Sequence, residues 1–340
     1  MSSEDTTAGT GRRSEHAFAP GSQFAAFGGE GYEEGNLLAV RLAPEPAAPA
    51  GRTGPRQPFG KWFLDKGWRH VIGVVTILFS IFPLLYIVSV SFNPAGTLTG
   101  SNELFRAFSV DNYVNLFSNP NQPYAMWFLN TQIIAILTSV ASVLLGALAA
   151  YAFSRMRFKG RRLGLGTILL VQMFPQFLAI VAIFLLMVAI TDVFPAIGLG
   201  THIGLIMIYL GAALGVNTFL MYGFFNTIPV SLDEAAKIDG AGHARTFFTI
   251  VLPLVVPILA VVGLLTYIGI FAEFAIASVM LTDPSQQTLA VGMFAFISGF
   301  QSQNWGIFAA GAVIAALPVM VLFLFLQKYI VGGLTAGAVK

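Results

Sequence analysis

The sequence predicts an all-α polytopic membrane protein with six transmembrane helices. Of its 340 residues, 56% are hydrophobic and 10% are charged. Soluble domains run near 45–50% apolar and about 25% charged. Residues 1–70 hold 16 of the 34 charged side chains, so the rest of the chain has too few to cover a surface facing water. Six apolar runs follow, at about 71–91, 130–153, 163–190, 203–225, 250–272 and 305–327. Each is near or above the ~20 residues a helix needs to cross a ~30 Å hydrocarbon core. Only closed hydrogen-bonding structures survive in lipid, which makes these runs helices. A β-barrel would show alternating segments of about ten residues instead. A soluble enzyme is thereby excluded.

Residues 1–60 are rich in Gly, Pro, Ala, Ser and Glu and carry no pattern. They are expected to form a disordered cytoplasmic tail ahead of a membrane domain at 61–331. The first long apolar run begins near Val71, too late for a cleaved leader of about 15–30 residues. Gly54 to Gly60-Lys61 is the nearest approach to a phosphate-binding loop. It is one residue too long and has Trp62 where Ser or Thr is required.

Lys and Arg set the orientation. Eight precede the first run, Arg106 alone lies in the next connection, and five crowd the following one: Arg155, Arg157, Lys159, Arg161 and Arg162. Continued to Lys340, alternate connections carry 17 and 1 basic residues, which places both termini in the cytoplasm. Trp62, Trp68, Trp127 and Trp305 lie near segment ends and read as interfacial anchors. Pro83, Pro175 and Pro318 interrupt the first, third and sixth runs and should kink them.

Several classes of chemistry drop out. A net charge of +2 with no basic block interleaved with aromatics gives no nucleic-acid partner. The absence of cysteine excludes disulfides, thiolate metal sites and iron–sulfur clusters. His16, His70, His202 and His243 are dispersed without ligand spacing, so no metal site is expected. No nucleophile–base constellation is visible, so no catalytic residues are assigned and the chain is expected not to be an enzyme. Glu273 is the one acid within the apolar stretch 250–282. It is a candidate pathway or outer-gate residue, with snorkelling or a bond to a neighbouring helix as the alternative.

Two regions do not fit a helix followed by a short loop. Residues 288–300, on the outer side, are apolar but too short to span, so they are interfacial, re-entrant or packed on a partner. Residues 226–253, on the inner side, are too polar to span. Ser231 reads as an N-cap with Glu234 as its capping-box partner. Leu232, Ala235, Ala236 and Ile238 make a narrow apolar stripe, and Asp239-Gly240 ends the helix with Gly240 left-handed. A second short helix through Phe247 and Phe248 follows, and Pro253 suits the start of the fifth run.

This inner segment carries a resemblance. Glu234-Ala235-Ala236, three residues, Gly240, nine residues, then Ile250 and Leu252-Pro253, resembles the EAA motif of ATP-binding-cassette (ABC) importer permeases. Gln172-Met173-Phe174-Pro175, the stretch from Gly198 to Gly204, Thr288 to Met293 and the ending Gly333-Leu334-Thr335-Ala336-Gly337 resemble MalG-type permease subunits of maltose and maltodextrin importers, over about residues 65–340. The resemblance implies the type I importer permease fold with a short cytoplasmic coupling helix, in the inner membrane of a prokaryote. It implies a substrate such as maltose, maltodextrin or trehalose. The implied partners are a second, MalF-like permease, a homodimeric ATPase holding the ATP and Mg, and an extracytoplasmic solute-binding protein. This chain is expected to bind no cofactor itself.

The coupling residues are then Glu234, Ala235, Ala236, Gly240, Ile250, Leu252 and Pro253. Gly292, Met293, Phe294, Phe296 and Phe300 are candidates for contact with the binding protein. Thr335, Ala336 and Gly337, in a cytoplasmic tail at 332–340, are candidates for contact with the ATPase, or else a frayed end. The other function classes are a secondary transporter, which should show inverted repeats and more buried ionisable groups, and a membrane scaffold.

Overall fold

The computed structural model describes residues 59–94, 104–298 and 304–336. The expected tail at 1–60 lies almost wholly outside the described residues, as do Phe300 and Gly337. All regular structure among the described residues is helical. Contacts divide the chain into one unit ending at His70 and another beginning at Val71. In the first, helical turns at Phe59–Trp62 and Phe63–Gly67 lead into α1, Trp68–Ser91. In the second, the α1 side chains from Val71 to Leu85 are almost all exposed. The last turn of α1 is held by a short helix, α2 (Asp111–Ser118), with Asn112 Nδ2 donating to Ser91 O at 3.0 Å, but the stretch before it has no cover among the described residues and must face lipid or another subunit.

Helix α2 precedes the central element of the second unit, α3 (Tyr124–Arg155). At 32 residues, α3 is roughly 48 Å long. It packs on α6 (His202–Phe225) and α9 (Val256–Phe271), and α9 also packs on α12 (Trp305–Ala336). Many buried α3 residues are small, among them Ala135, Ser139, Ser142, Gly146, Ala147 and Ala150, and Ser142 and Gly146 meet Asn217 of α6. Apolar attraction between helices vanishes in lipid, and small residues restore association by letting backbones approach.

Three apolar clusters follow one another along α3. Leu116, Tyr124, Trp127, Met293 and Phe296 gather at its start. Ile134, Met187, Leu205, Tyr209 and Tyr267 fill the middle. Ala150, Tyr151, Met221, Phe225, Phe247 and Val251 close its C-terminal end.

Among the described residues, four helices are long and apolar enough to cross a membrane: Phe63–Ser91, Tyr124–Arg155, His202–Phe225 and Trp305–Ile330. The other two expected runs are broken. The run at 163–190 is α4 (Arg161–Gln172) and α5 (Gln176–Val193), bent by 99°. Pro175, lacking an N–H, stands extended at ψ 114° between them. The run at 250–272 is the end of α8 (His243–Leu254) and all of α9, bent by 79°. The bend falls at Val255, just before Pro257 in the first turn of α9, and not at Pro253. Counting each bent pair as one span gives six. Pro83 and Pro318 instead lie inside continuous helices. The fourth run agrees with α6 to within a residue, whereas α3 starts six residues before the expected 130. The last helix runs on to Ala336, so residues 332–336, Thr335 and Ala336 included, are helix and not an irregular tail.

Trp127 corrects another expectation. It is buried and not interfacial, because its ring fills the start-of-α3 cluster and its indole N–H donates to the Pro284 carbonyl at 2.7 Å.

Candidate functional site

The inner segment is built as α7, Ser231–Ile238, followed by α8. Ser231 does not cap α7. Val230 occupies the N-cap position, and no side chain bonds the first turn. The amides are met by backbone instead: Leu232 N donates to Pro229 O at 3.3 Å, and Asp233 N and Glu234 N donate to Val230 O at 3.0 and 3.1 Å. Glu234 is therefore free of capping duty and points to the exterior.

The far end agrees with the expectation from Asp239-Gly240. Gly240 has φ +78°, its N–H donates to Lys237 O at 3.0 Å, and Ala241 N donates to Ala236 O at 2.8 Å. That bond pair is a Schellman closure, which needs a left-handed residue and so favours glycine.

The apolar stripe is not the inward face. Ile238 is 86% exposed and Leu232 is also exposed, while Asp233 and Ala236 are buried. Asp233 turns inward because a cation waits there. Arg155 Nε, at the C-terminal end of α3, lies 3.0 Å from Asp233 Oδ2, and both side chains are nearly sealed from solvent. Arg155 Nη2 also donates to Ile228 O at 2.9 Å. One guanidinium thus ties the end of the central helix to both the entry and the first turn of α7. With its back clasped, α7 presents Glu234, Ala235, Lys237 and Ile238 outward.

In α8, Phe247 and Val251 are buried against Tyr151, with the Phe247 and Tyr151 rings 5.0 Å apart. Ile250 and Leu252 are half-buried and Pro253 is exposed. The turn Phe247–Val251 is π-helical, with Leu252 N donating to Phe247 O. A widened turn of this kind receives the N–H-less Pro253 without breaking the helix.

Glu273 lies two residues past α9 and one before Phe274, the N-cap of α10 (Ala275–Met280), and its side chain closes the first turn of α10. Its Oε1 accepts from Ile276 N at 2.7 Å and its Oε2 from Ala277 N at 3.0 Å, and the Tyr209 hydroxyl donates to Oε2. An acid between two helices is stabilised by these amides and by the positive end of the α10 dipole.

The outer segment is held as firmly. Asn130 Nδ2 donates to Ser285 O and Gln287 O at 2.9 and 3.0 Å. His202 Nε2 lies 2.9 Å from Gln286 O, and Leu289 N donates to Thr131 Oγ1 at 2.6 Å. The Ser285 amide and hydroxyl both donate to Asp283 Oδ1 at 2.8 Å, which holds that carboxyl below its ordinary pKa. The described part of the outer segment, residues 288–298, contains one short helix, α11 (Leu289–Phe294), resting on α3. Gly292 abuts the Trp127 ring, where a Cβ would come within 2.1 Å of ring carbon. Gly292, Met293 and Phe296 are buried, so of the described residues proposed to meet a binding protein only Phe294 is open to one.

Sequence reasoning missed the Arg155–Asp233 clasp. Arg155 was visible only as the first of five basic residues, and Asp233 only as a neighbour of Glu234.

Comparison with known proteins places this geometry. Residues 142–335, which contain α7, α8 and the clasp, match the family model described as the inner membrane component of binding-protein-dependent transport systems. The chain is 43% identical over 292 residues to the maltose/maltodextrin transport system permease protein MalG of Vibrio vulnificus, covering 83% of this chain and 98% of that one. It is 40% identical over 261 residues to the galactooligosaccharides transport system permease protein GanQ of Bacillus subtilis, covering 76% and 90%. A crystal structure of a bacterial ABC transporter that imports alginate shares the fold, with TM-score 0.64 at 22% identity over 82% of this chain and all of the matched chain. The chain belongs to the family of binding-protein-dependent transport system inner membrane components, as a multi-pass permease of the type I importer fold.

Proposed function

We propose that this permease serves an ATP-driven importer of maltodextrin-like oligosaccharides and that α7 and α8 couple it to a separate cytoplasmic ATPase. The observation that carries the reading is α7 itself. A buried ion pair fixes its back to the end of α3, while Glu234, Ala235 and Ile238 face outward with no cover from the described residues. Such a helix can seat in a groove on another protein and pass displacement directly to α3. The small side chain of Ala235 permits close approach, and Glu234 can pair with a cation there.

The remaining partners follow from the same reading. Both termini lie in the cytoplasm, a second, MalF-like permease completes the pathway, and ATP and Mg reside on the ATPase. A solute-binding protein docks outside near Phe294, while Glu273 steadies the outer end of the pathway. Thr335 and Ala336 extend the last helix toward the ATPase. The sugar class is supported by the maltodextrin and galactooligosaccharide permeases to which the chain is similar.

The test pairs two variants with two readouts. Gly240→Val strains the left-handed turn by roughly 1–2 kcal/mol outside the membrane, and Glu234→Lys reverses the exposed charge. Both are expected to leave the protein inserted and to detach or uncouple the ATPase, read as ATPase retention on the purified complex and as sugar uptake by vesicles. Normal retention and uptake in both variants would remove α7 from the coupling role.

A further inference from the structure

Arg155 is consumed by Asp233, but the basic run after it is not. Arg157, Arg161 and Arg162 line a cavity of about 540 Å³ formed by the α3–α4 connection, the start of α4 and Tyr222 of α6, with Phe158 and Leu163 also in its wall. Among the described residues no acid neutralises these three guanidinium groups. Arg161 is preset, since its Nη2 donates to the Tyr222 hydroxyl at 3.3 Å and its guanidinium lies 5.9 Å from the ring centre. The first turn of α4 adds donors. Gly160 enters at φ +85°, no side chain caps the helix, and the amides of Arg161, Arg162 and Leu163 have no acceptor among the described residues. Convergent arginines and free amides at a helix start are the chemistry of a phosphate site.

The walls say which phosphate. From the cavity, Leu163 and Leu170 stand out along α4, 76% and 71% exposed, with Gly166 and Thr167 between them. The two leucines are seven apart, on one helix face. A soluble phosphate or nucleotide has no use for those leucines, whereas the acyl chains of a lipid do.

We propose that this cavity binds the phosphate of an anionic membrane lipid headgroup, with the acyl chains laid along Leu163 and Leu170. The site rests on the membrane placement and inward orientation of this end, and not on the coupling role of α7. A lipid seated there touches both α4 and, through Tyr222, α6. It would brace the bent α4–α5 pair against the helix whose C-terminal end leads into α7.

The test uses the full-length chain purified with whatever subunits accompany it. Phosphatidylglycerol and phosphatidylcholine are offered in equal amounts, and retained lipid is read by native mass spectrometry. The native chain should retain phosphatidylglycerol preferentially, and Arg157→Gln/Arg162→Gln should reduce that preference roughly tenfold or more. Lys159→Gln is the control: it removes one basic charge from the same connection, half of what the double variant removes, at a residue that does not line the cavity, and should change the preference less than twofold. Equal losses in the two proteins would mean a diffuse surface field and would overturn the pocket. Displacement of the lipid by excess inorganic phosphate would assign the cavity to a soluble anion. Unchanged lipid retention together with loss of ATPase from the double variant would assign the arginines to a protein surface. ATPase retention by Glu234→Lys reports on the coupling reading separately, so either idea can fail alone.

Discussion

Arg155 and Asp233 meet where water is nearly excluded, so each depends on the other. Removing one partner of a buried pair leaves an uncompensated charge and costs about 3–5 kcal/mol, more than removing both. Asp233→Ala is therefore expected to lower the melting temperature more than Arg155→Met/Asp233→Ala does, and to expose residues 226–254 to protease. Equal melting temperatures would mean that the pair is solvated. Gly292 carries the opposite constraint, since added volume has nowhere to go against Trp127. Gly292→Ala should destabilise the outer end by roughly 1–3 kcal/mol and shift the tryptophan emission, as Trp127 is pushed from its buried place. At Asp283 the folded carboxyl titrates below its unfolded value because Ser285 donates two bonds to the charged form. Its contribution is present above the ordinary carboxylate range and fades as pH falls through the lowered value. The protection factor of the Ser285 amide, its exchange relative to the unstructured rate at the same pH, should fall on that acid side, and Asp283→Asn should remove that fall.

Broken elements carry the machinery. The α4–α5 bend is latched by Gln172, whose Nε2 donates to Ala212 O on α6 at 2.8 Å. Gly215 makes the space for it, as a Cβ there would lie 2.0 Å from that nitrogen. Gly215→Val is thus expected to eject Gln172 and release the bend. Gln172→Leu should free the bend with less steric damage. A spin-label pair across residues 165 and 185 should report a broader distance distribution in both variants, and unchanged distributions would place the bend under the control of Pro175 alone. A polar seam joins the long helices nearby, with Asn217 Nδ2 donating to Ser142 Oγ at 2.7 Å and to Thr266 Oγ1 at 2.9 Å. Interhelical bonds of this kind are worth about 0.6 kcal/mol on average inside a membrane, so they set the register of α3, α6 and α9 more than they hold them together.

At the scale of the molecule the expectation is topological. The 17-to-1 division of basic residues predicts outside signals from reporter fusions after Pro120, Gly198 and Gln286, and cytoplasmic signals after Arg162, Gly240 and Lys340. A cytoplasmic signal at Gln286 would break the six-span arrangement. The bare apolar surface of α1 agrees with a subunit completed by lipid and by other chains.

What the sequence by itself determined is what hydropathy, charge and local backbone chemistry encode. Long apolar runs must be helices in lipid, so their number was legible even where two proved broken. Gly240 was legible because a left-handed turn is a property of a few adjacent residues. Tertiary structure alone decided which face of α7 looks inward, because that depends on Arg155, 78 positions away in the chain. It also decided that Trp127 is core, that Glu273 closes the first turn of a helix and that Met293 and Phe296 are buried. Each of those fates is set by a partner on another helix, and hydropathy cannot tell a side chain facing lipid from one facing its neighbour.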